Sequence, residues 1–215
     1  MDKEREPQAG SAERERDETM LETLVLASSS PRRAEILRAV GWPFETCPAD
    51  VDETREVDEE PVAYVERLAR EKALAIASRR LFGLVLGADT VVVIDGLVLG
   101  KPRHEREARD MLRLLSGREH EVLTGVALVR AESKLAVVGH ERTLVRFGKM
   151  DGEEIDWHIR VGEPLDKAGA YAVQGHAALF IEAIRGDYWN VVGLPIRLVY
   201  KLSKEMMNAA TTNAE

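Results

Sequence analysis

The feature that most constrains the fold of this chain is a short apolar run followed at once by three serines and a proline. Residues 24–27 read Leu-Val-Leu-Ala, and the serines at residues 28–30 and then Pro31 come directly after them. Serine is favoured as the residue that caps a helix and proline at the first helical position, so a helix is predicted to begin at Pro31. Gly41 is placed to end this helix. A buried strand that leads directly into a helix is typical of α/β proteins.

The rest of the chain alternates between strand-like and helix-like patterns. Short apolar runs rich in branched residues indicate strands, and longer runs with apolar residues every three or four positions indicate helices. The predicted strands cover residues 24–27, 44–47, 84–86, 91–94, 97–99, 121–130, 135–147, 170–173 and 179–184. The predicted helices cover residues 31–40, 60–80, 105–115, 151–161 and 194–207. Asp95-Gly96 is a typical hairpin turn, so the sequence predicts an α/β fold with a mixed sheet.

Half of the net charge lies in a short N-terminal segment. The formal net charge of the 215 residues is −8, and residues 1–22 hold eight acidic and four basic side chains. This segment has almost no apolar side chains to bury, which predicts a disordered extension. We therefore predict a single domain over residues 23–207, preceded by that extension and followed by a frayed tail at residues 208–215.

Composition excludes several classes of protein. The single cysteine, Cys47, excludes an intrachain disulfide framework and a zinc site built from several cysteines. The sequence contains no apolar run of about 18 residues, so neither a membrane-spanning helix nor a membrane partner is expected. The negative charge argues against a nucleic-acid polymer as partner, but a small phosphorylated ligand needs only a local basic pocket. Because the N-terminus lacks an apolar leader, the protein is expected in the cytoplasm.

The start of the first predicted helix carries two arginines. Arg32 and Arg33 lie in the first turn, where the positive end of the helix dipole disfavours cations. A helix N-terminus binds anions, and the hydroxyls of Ser28 and Ser30 add hydrogen-bond donors, so a bound anion would explain both arginines. The alternative is a capped helix with two solvated arginines.

Lys72 is the second unusual charge. On a helical wheel it falls in the middle of the apolar stripe that includes Val65, Leu68 and Ile76. A lysine on the inward face is costly unless its charge meets a partner. The alternative is that the side chain extends along the helix until its ammonium reaches water.

Three further polar residues are candidates for chemistry. Asp89 lies between two apolar runs, where a carboxylate is either a turn residue or a rigidly held metal ligand or general base. The predicted hairpin after it brings Lys101 back toward the same end of the sheet. Gln174 ends a short segment flanked by glycines and can both donate and accept hydrogen bonds, as recognition of a base requires. An ordinary hairpin would explain that segment equally well.

Seven stretches, taken together and in order, resemble the Maf family of nucleoside triphosphate pyrophosphatases. They are LASSSPRRAEIL, DVDE, YVERLAREKA, GADTVVV, GKP, EPLDKAGAYAVQG and GDYWNVVGLP, and the resemblance covers about residues 24–203. The resemblance implies an enzyme that hydrolyses a nucleoside triphosphate to the monophosphate and pyrophosphate with a divalent metal, Mg²⁺ or Mn²⁺. It also implies a Maf/ITPase-like α/β fold, in which a mixed twisted sheet with flanking helices forms two lobes around a cleft.

The resemblance also implies roles for the residues described above. The triphosphate would be bound by the side chains of Ser28, Ser30, Arg32, Arg33, Lys72 and Lys101. Glu53 and Asp89 would hold the metal, and Asp89 would activate the water that attacks the α-phosphorus. Arg32, Thr90 and Gln174 match the branch of the family that prefers dTTP and UTP, and they would select the base.

Other functions stay open at this point. A nucleotide-binding regulator of cell division and septum formation would use the same fold without hydrolysis. An enzyme of the same family that prefers 7-methyl-GTP is a second alternative. Modified pyrimidine nucleotides are further candidate substrates, which would make the protein a house-cleaning enzyme, and the resemblance is compatible with a homodimer.

Overall fold

The chain is organised around one mixed sheet of seven strands. The structure, a computed structural model, describes residues 21–162 and 164–212, without the side chains of residues 210–212. The predicted extension therefore lies outside the described residues apart from its last two positions. No helix in this described part of the chain is both long and apolar enough to cross a membrane.

Most of the strands and helices follow the predicted pattern, but a short helix over residues 188–192 was not predicted. The strands are β1 Leu24–Leu26, β2 Phe44–Thr46, β3 Leu84–Ile94, β4 Leu97–Leu99, β5 Glu119–Arg130, β6 Ala136–Phe147 and β7 Ile181–Arg185. The helices are α1 Pro31–Ala39, α2 Pro61–Ala77, α3 Glu105–Leu115, α4 Gly152–Gly162, α5 Tyr188–Val192 and α6 Ile196–Thr212. Short 3₁₀ turns cover Pro164–Asp166, Ala168–Ala170 and His176–Leu179.

The sheet has an interruption along one edge of β3. The strand order is β2-β1-β3-β5-β6-β7, with β1 parallel to β2 and β3 and the remaining pairs antiparallel. One edge of β3 pairs continuously with β5. Its other edge pairs with β1 only at residues 84–86 and with β4 only at residues 92–94. Residues 87–91 of β3 therefore have no strand beside them on that edge, within the described part of the chain.

Helices cover both faces of the sheet. One face carries α1 and α6 over one apolar cluster, and α3 and α4 over a second cluster further along the strands. The opposite face carries α2. Members of both clusters, Val173 and Val192 from the first and Val92 and Tyr171 from the second, line a cavity beside the interrupted edge of β3. The predicted α/β fold with a mixed sheet is confirmed.

Asp89 lies in the middle of a strand, which corrects the prediction of a turn or bulge between two short strands. Residues 84–94 form one strand because each residue from Leu84 to Val93 is aligned with a partner on β5. The sequence looks interrupted at residues 87–90 because Gly87 packs directly against the backbone of α2, while Asp89 and Thr90 line the cavity. A local apolar pattern cannot detect a partner strand more than thirty residues away.

The segment after residue 166 also differs from the prediction. Residues 170–173 were expected to form a strand, but Gly169 and Ala170 have φ angles of 66° and 64° and belong to a 3₁₀ turn. Left-handed backbone geometry is incompatible with an extended strand. The strand predicted over residues 179–184 begins only at Ile181, after a second 3₁₀ turn.

Contacts of the described residues extend beyond the predicted domain bounds at both ends. Leu21 packs against the first apolar cluster and Glu22 pairs with Arg130, so the last two residues of the predicted extension contact the domain. Helix α6 continues to Thr212, five residues beyond the predicted end of this helix at residue 207. Met206, two residues before the predicted tail, is fully buried in the first apolar cluster, and this packing stabilises the end of the helix.

Substitution of a glycine on β5 tests how closely α2 packs on the sheet. A methyl group on Gly125 would overlap the backbone of Val65 in α2. We expect Gly125→Ala to lower the free energy of unfolding by about 1–3 kcal/mol or more, because helix and sheet must separate. Urea unfolding measures this. Gly152→Ala is the matched control, since nothing lies within 4 Å of its added methyl group. The same urea concentration at half-unfolding for the two variants would contradict the packing argument.

Candidate functional site

The site is a cavity of about 480 Å³ beside the interrupted edge of β3. All ten residues singled out from the sequence line it: Ser28, Ser30, Arg32, Arg33, Glu53, Lys72, Asp89, Thr90, Lys101 and Gln174. They come from the β1–α1 junction, the loop before α2, α2 itself, β3, the segment after β4 and the loop before β7. The fold thus brings the predicted residues together, while their individual roles stay predictions.

Lys72 is buried and binds two carboxylates. Its Nζ lies 2.6 Å from Oδ1 of Asp89 and 2.6 Å from Oε1 of Glu53. Lys72 and Asp89 are 7% and 9% exposed, whereas the Glu53 side chain is half exposed. The ammonium therefore meets partners inside the protein and does not extend to water, which decides between the two interpretations of this lysine.

Lys72 also sets the ionisation of Glu53. Burial raises the pKa of this carboxyl, but the hydrogen bond and charge of Lys72, together with the charges of Lys101 and Arg33, outweigh burial, so the pKa lies below the ordinary glutamate value. Ionised Glu53 therefore stabilises the fold above the ordinary glutamate pKa, and this contribution is lost as the pH falls through the lowered pKa.

Arg33 is buried without a carboxylate in hydrogen-bond contact among the described residues. Its Nε donates to the Gly193 carbonyl at 2.9 Å, its Nη1 to Ser28 Oγ at 3.0 Å and its Nη2 to Thr90 Oγ1 at 3.1 Å. All three acceptors are neutral. Burial lowers the pKa of the guanidinium, and the nearby charge of Asp89 offsets this only in part. The arrangement fixes a cation at the cavity wall, where none of the described residues forms an ion pair with it.

Ser28 and Thr90 therefore orient Arg33. Ser28 Oγ also accepts from the backbone N–H of Ser30 at 3.2 Å, and Thr90 Oγ1 lies 2.9 Å from Thr124 Oγ1. Ser30 is the residue before α1, as predicted, but its hydroxyl makes no capping hydrogen bond to the helix. Ser30 itself lines the cavity.

Further cations lie at the mouth of the cavity. Arg32 pairs with Asp166 at 3.2 Å, and Lys167 pairs with the same carboxylate at 2.5 Å. Lys101 is exposed on the rim. The N–H of Gly169 donates to the carbonyl of Gly100 at 3.1 Å, which joins the two segments that carry these lysines. Gln174 is also exposed at the rim.

Sequence reasoning missed three residues of the cavity wall. Lys167 and Asp166 lie next to each other in one of the stretches described above, and only the fold shows that both line the cavity and that Asp166 pairs with Arg32. Tyr64 lines the cavity from α2 and donates its hydroxyl to the carbonyl of Glu53 at 2.7 Å. The signal for Tyr64 was weak, because an aromatic residue on an amphipathic helix is usually part of the core.

The donors present fit a hard divalent cation bound together with phosphate. Glu53 and Asp89 present their carboxylates to the same point of the cavity wall, and Mg²⁺ in proteins is commonly bound by one or two carboxylates, phosphate oxygens and water. Among the described residues no group of three or more histidine, cysteine or acidic side chains is arranged to hold a metal. Any metal here would therefore depend on oxygens from the ligand.

Fold and site together define an α/β protein whose interrupted sheet holds a buried cationic cavity. A solved structure supports the fold assignment: the Staphylococcus aureus Ham1 protein shares it with a TM-score of 0.51 and 13% sequence identity, over 86% of this chain and 99% of that one. A family model described as Maf-like protein matches residues 23–206. The chain belongs to the Maf family.

Curated relatives cover nearly the whole domain. The dTTP/UTP pyrophosphatase of Symbiobacterium thermophilum is 55% identical over 82% of this chain and 90% of its own length. The protein of the same name from Syntrophus aciditrophicus is 50% identical over 87% of this chain and 91% of its own length. The family resemblance stated from the sequence is thereby confirmed.

Removing the ammonium of Lys72 tests its effect on the pKa of Glu53. Lys72→Met keeps an apolar stem, so the burial that raises the pKa of Glu53 remains while the hydrogen bond and charge that lower it are lost. We expect the Glu53 pKa to rise above its wild-type value, as followed by NMR titration of carbon-13-labelled glutamate. Arg70→Met, at an exposed position of the same helix, should leave it unchanged. The same Glu53 pKa in the Lys72 variant and the wild type would contradict the ion pair.

Proposed function

We propose that this chain hydrolyses dTTP and UTP to the nucleoside monophosphate and pyrophosphate. Relatives that are 45–55% identical over 82–87% of the chain bear the name dTTP/UTP pyrophosphatase. The residues that match that branch of the family, Arg32, Thr90 and Gln174, all lie around the one cavity.

The observation that carries the proposal is the buried guanidinium of Arg33. Among the described residues only neutral acceptors hydrogen-bond to it, and the nearby charge of Asp89 offsets the effect of its burial only in part. Arg32, Lys101 and Lys167 place further positive charge around the same cavity. A triphosphate supplies several negative charges in a short length, so it would neutralise this set through charge-assisted hydrogen bonds.

Asp89 is positioned to act as the general base. The unpaired edge of β3 lets its carboxylate face the cavity although it lies mid-strand. A water held against Asp89 gives up a proton to the carboxylate and attacks the α-phosphorus. A new oxygen–phosphorus bond forms, the bond from the α-phosphorus to the bridging oxygen breaks, and pyrophosphate leaves with that electron pair. The surrounding cations stabilise the charge that develops on pyrophosphate.

A divalent cation completes the proposed site. Glu53 and Asp89 would hold Mg²⁺ or Mn²⁺, which supplies further neutralisation of the phosphates when it is bound. Lys72 keeps the two carboxylates side by side in the ligand-free protein.

We propose that Gln174 and Arg32 select the base by direct contact at the rim, and that Thr90 acts indirectly. Gln174 is exposed at the rim, where its amide can pair with a pyrimidine edge. Arg32 reaches the same mouth from α1. Thr90 contacts Arg33, Thr124 and the Gly193 carbonyl, so we propose that it influences selection by orienting Arg33.

A panel of nucleotides tests the proposed activity. The purified chain is incubated with dTTP, UTP, CTP, GTP and 7-methyl-GTP, each with Mg²⁺ or Mn²⁺, and the products are separated by ion-exchange chromatography. We expect dTTP and UTP to yield monophosphate and pyrophosphate faster than the other nucleotides. Release of orthophosphate, or a preference for 7-methyl-GTP, would contradict the proposal, and binding of dTTP without products would favour a regulator.

Replacing Asp89 tests the mechanism. Asp89→Asn keeps the size of the side chain but removes the base, so we expect kcat with dTTP to fall about 10²–10⁴-fold. Binding of dTTP, measured by calorimetry, should persist. Asp95→Asn, in the exposed hairpin turn, is the matched control and should keep full activity. Near-normal turnover by the Asp89 variant would remove this residue from the mechanism.

A further inference from the structure

We propose that Arg67 is a positioning residue that fixes the loop of residues 52–59 against α2, so that the carboxylate of Glu53 meets Lys72. The proposal rests on the proposed function only in the kinetic effect that it assigns to Arg67. The loop contains neither helix nor strand, so its course depends on side-chain contacts. Glu53 is the one residue of this loop that lines the cavity.

Arg67 forms a bidentate ion pair with Glu59, at the end of the loop that precedes α2. Its Nε lies 2.7 Å from Oε1 of Glu59, and its Nη2 lies 2.8 Å from Oε2 of the same carboxylate. The carboxylate of Glu59 is itself buried, and it also accepts the N–H of Glu56 at 3.1 Å. Paired hydrogen bonds between guanidinium and carboxylate fix orientation as well as distance.

The same guanidinium also reaches the loop next to Glu53. Its Nη2 donates to the carbonyl of Thr54 at 3.2 Å, and its carbon lies 5.6 Å from the centre of the Tyr64 ring. The Tyr64 hydroxyl in turn donates to the carbonyl of Glu53 at 2.7 Å. Two successive carbonyls of the loop are thereby tied to two stacked side chains of α2.

Arg67 must act through Glu53 because it does not reach the reacting groups. Its side chain is not among the described residues that line the cavity, whereas the carboxylate of Glu53 lies 2.6 Å from the ammonium of Lys72. Its remaining ion-pair partners among the described residues are the carboxylates of Glu71 at 3.3 Å and of Glu56 at 3.9 Å. A lysine at position 67 would keep the charge but could not form the paired contact.

The first part of the test is a double-mutant cycle with dTTP as substrate. We expect Arg67→Ala to lower kcat/KM about 10-fold, a loss typical of residues that orient a ligand to a metal, and Arg67→Lys to recover little of it. In the Glu53→Gln background the same Arg67→Ala change should cause no further loss. Equal losses in both backgrounds would overturn the proposal, because Arg67 would then act independently of Glu53.

The second part measures the loop without any reaction. Hydrogen exchange followed by mass spectrometry should show faster exchange of residues 52–59 in Arg67→Ala and Arg67→Lys than in the wild type. Arg109→Ala is the matched control, since it breaks an exposed ion pair of 2.7 Å with Asp156 on other helices. Unchanged exchange of the loop in both Arg67 variants would overturn the proposal. If the wild-type chain did not hydrolyse dTTP or UTP, the proposed function would fail and the exchange measurement alone would decide the role of Arg67.

Discussion

The direct contact of helix α2 with the sheet is the constraint on which the site depends. Gly87 on β3 and Gly125 on β5 have no Cβ atoms, and the backbone of α2 occupies that space. A side chain at either position would hold the helix away from the strands. Because the helix lies so close, the stem of Lys72 is buried and its ammonium reaches Asp89, two residues beyond Gly87 on the same face of β3. The site is therefore a consequence of packing as well as of charge.

The two buried cations of the cavity have partners of different charge. Lys72 is neutralised by two carboxylates, whereas Arg33 donates its hydrogen bonds to neutral oxygens alone among the described residues. The excess positive charge therefore lies on the α1 side of the cavity, and Asp166 at the mouth meets only part of it. A net charge of −8 over the whole chain is compatible with this local excess, since solvent screens distant charges at the surface and the cavity wall responds to its nearest neighbours.

The sequence predicted most of what depends on local pattern. The start of α1, the extent of α3 and the hairpin at Asp95-Gly96 follow from caps, periodicity and turn chemistry, and the inward direction of Lys72 follows from the helical wheel. The position of Asp89 within a strand was missed because it depends on the ladder with β5. The contacts of Arg67 were missed for a related reason. A charged residue on an amphipathic helix looks solvated until the loop that covers it is known.

The interruption in the edge of β3 connects the site to the sequence feature that starts the domain. The last hydrogen bond between β1 and β3 runs from the N–H of Ala27 to the carbonyl of Leu86 at 2.8 Å. If β1 continued, its backbone would pair with residues 87–91 of β3 and cover Asp89. The serines and Pro31 prevent this. Ser28 Oγ accepts the hydrogen bond of the Ser30 N–H, and Pro31 begins α1 and has no N–H that could donate to a neighbouring strand. The same four residues thus end a strand, open the edge beside Asp89 and place Arg33 across the gap.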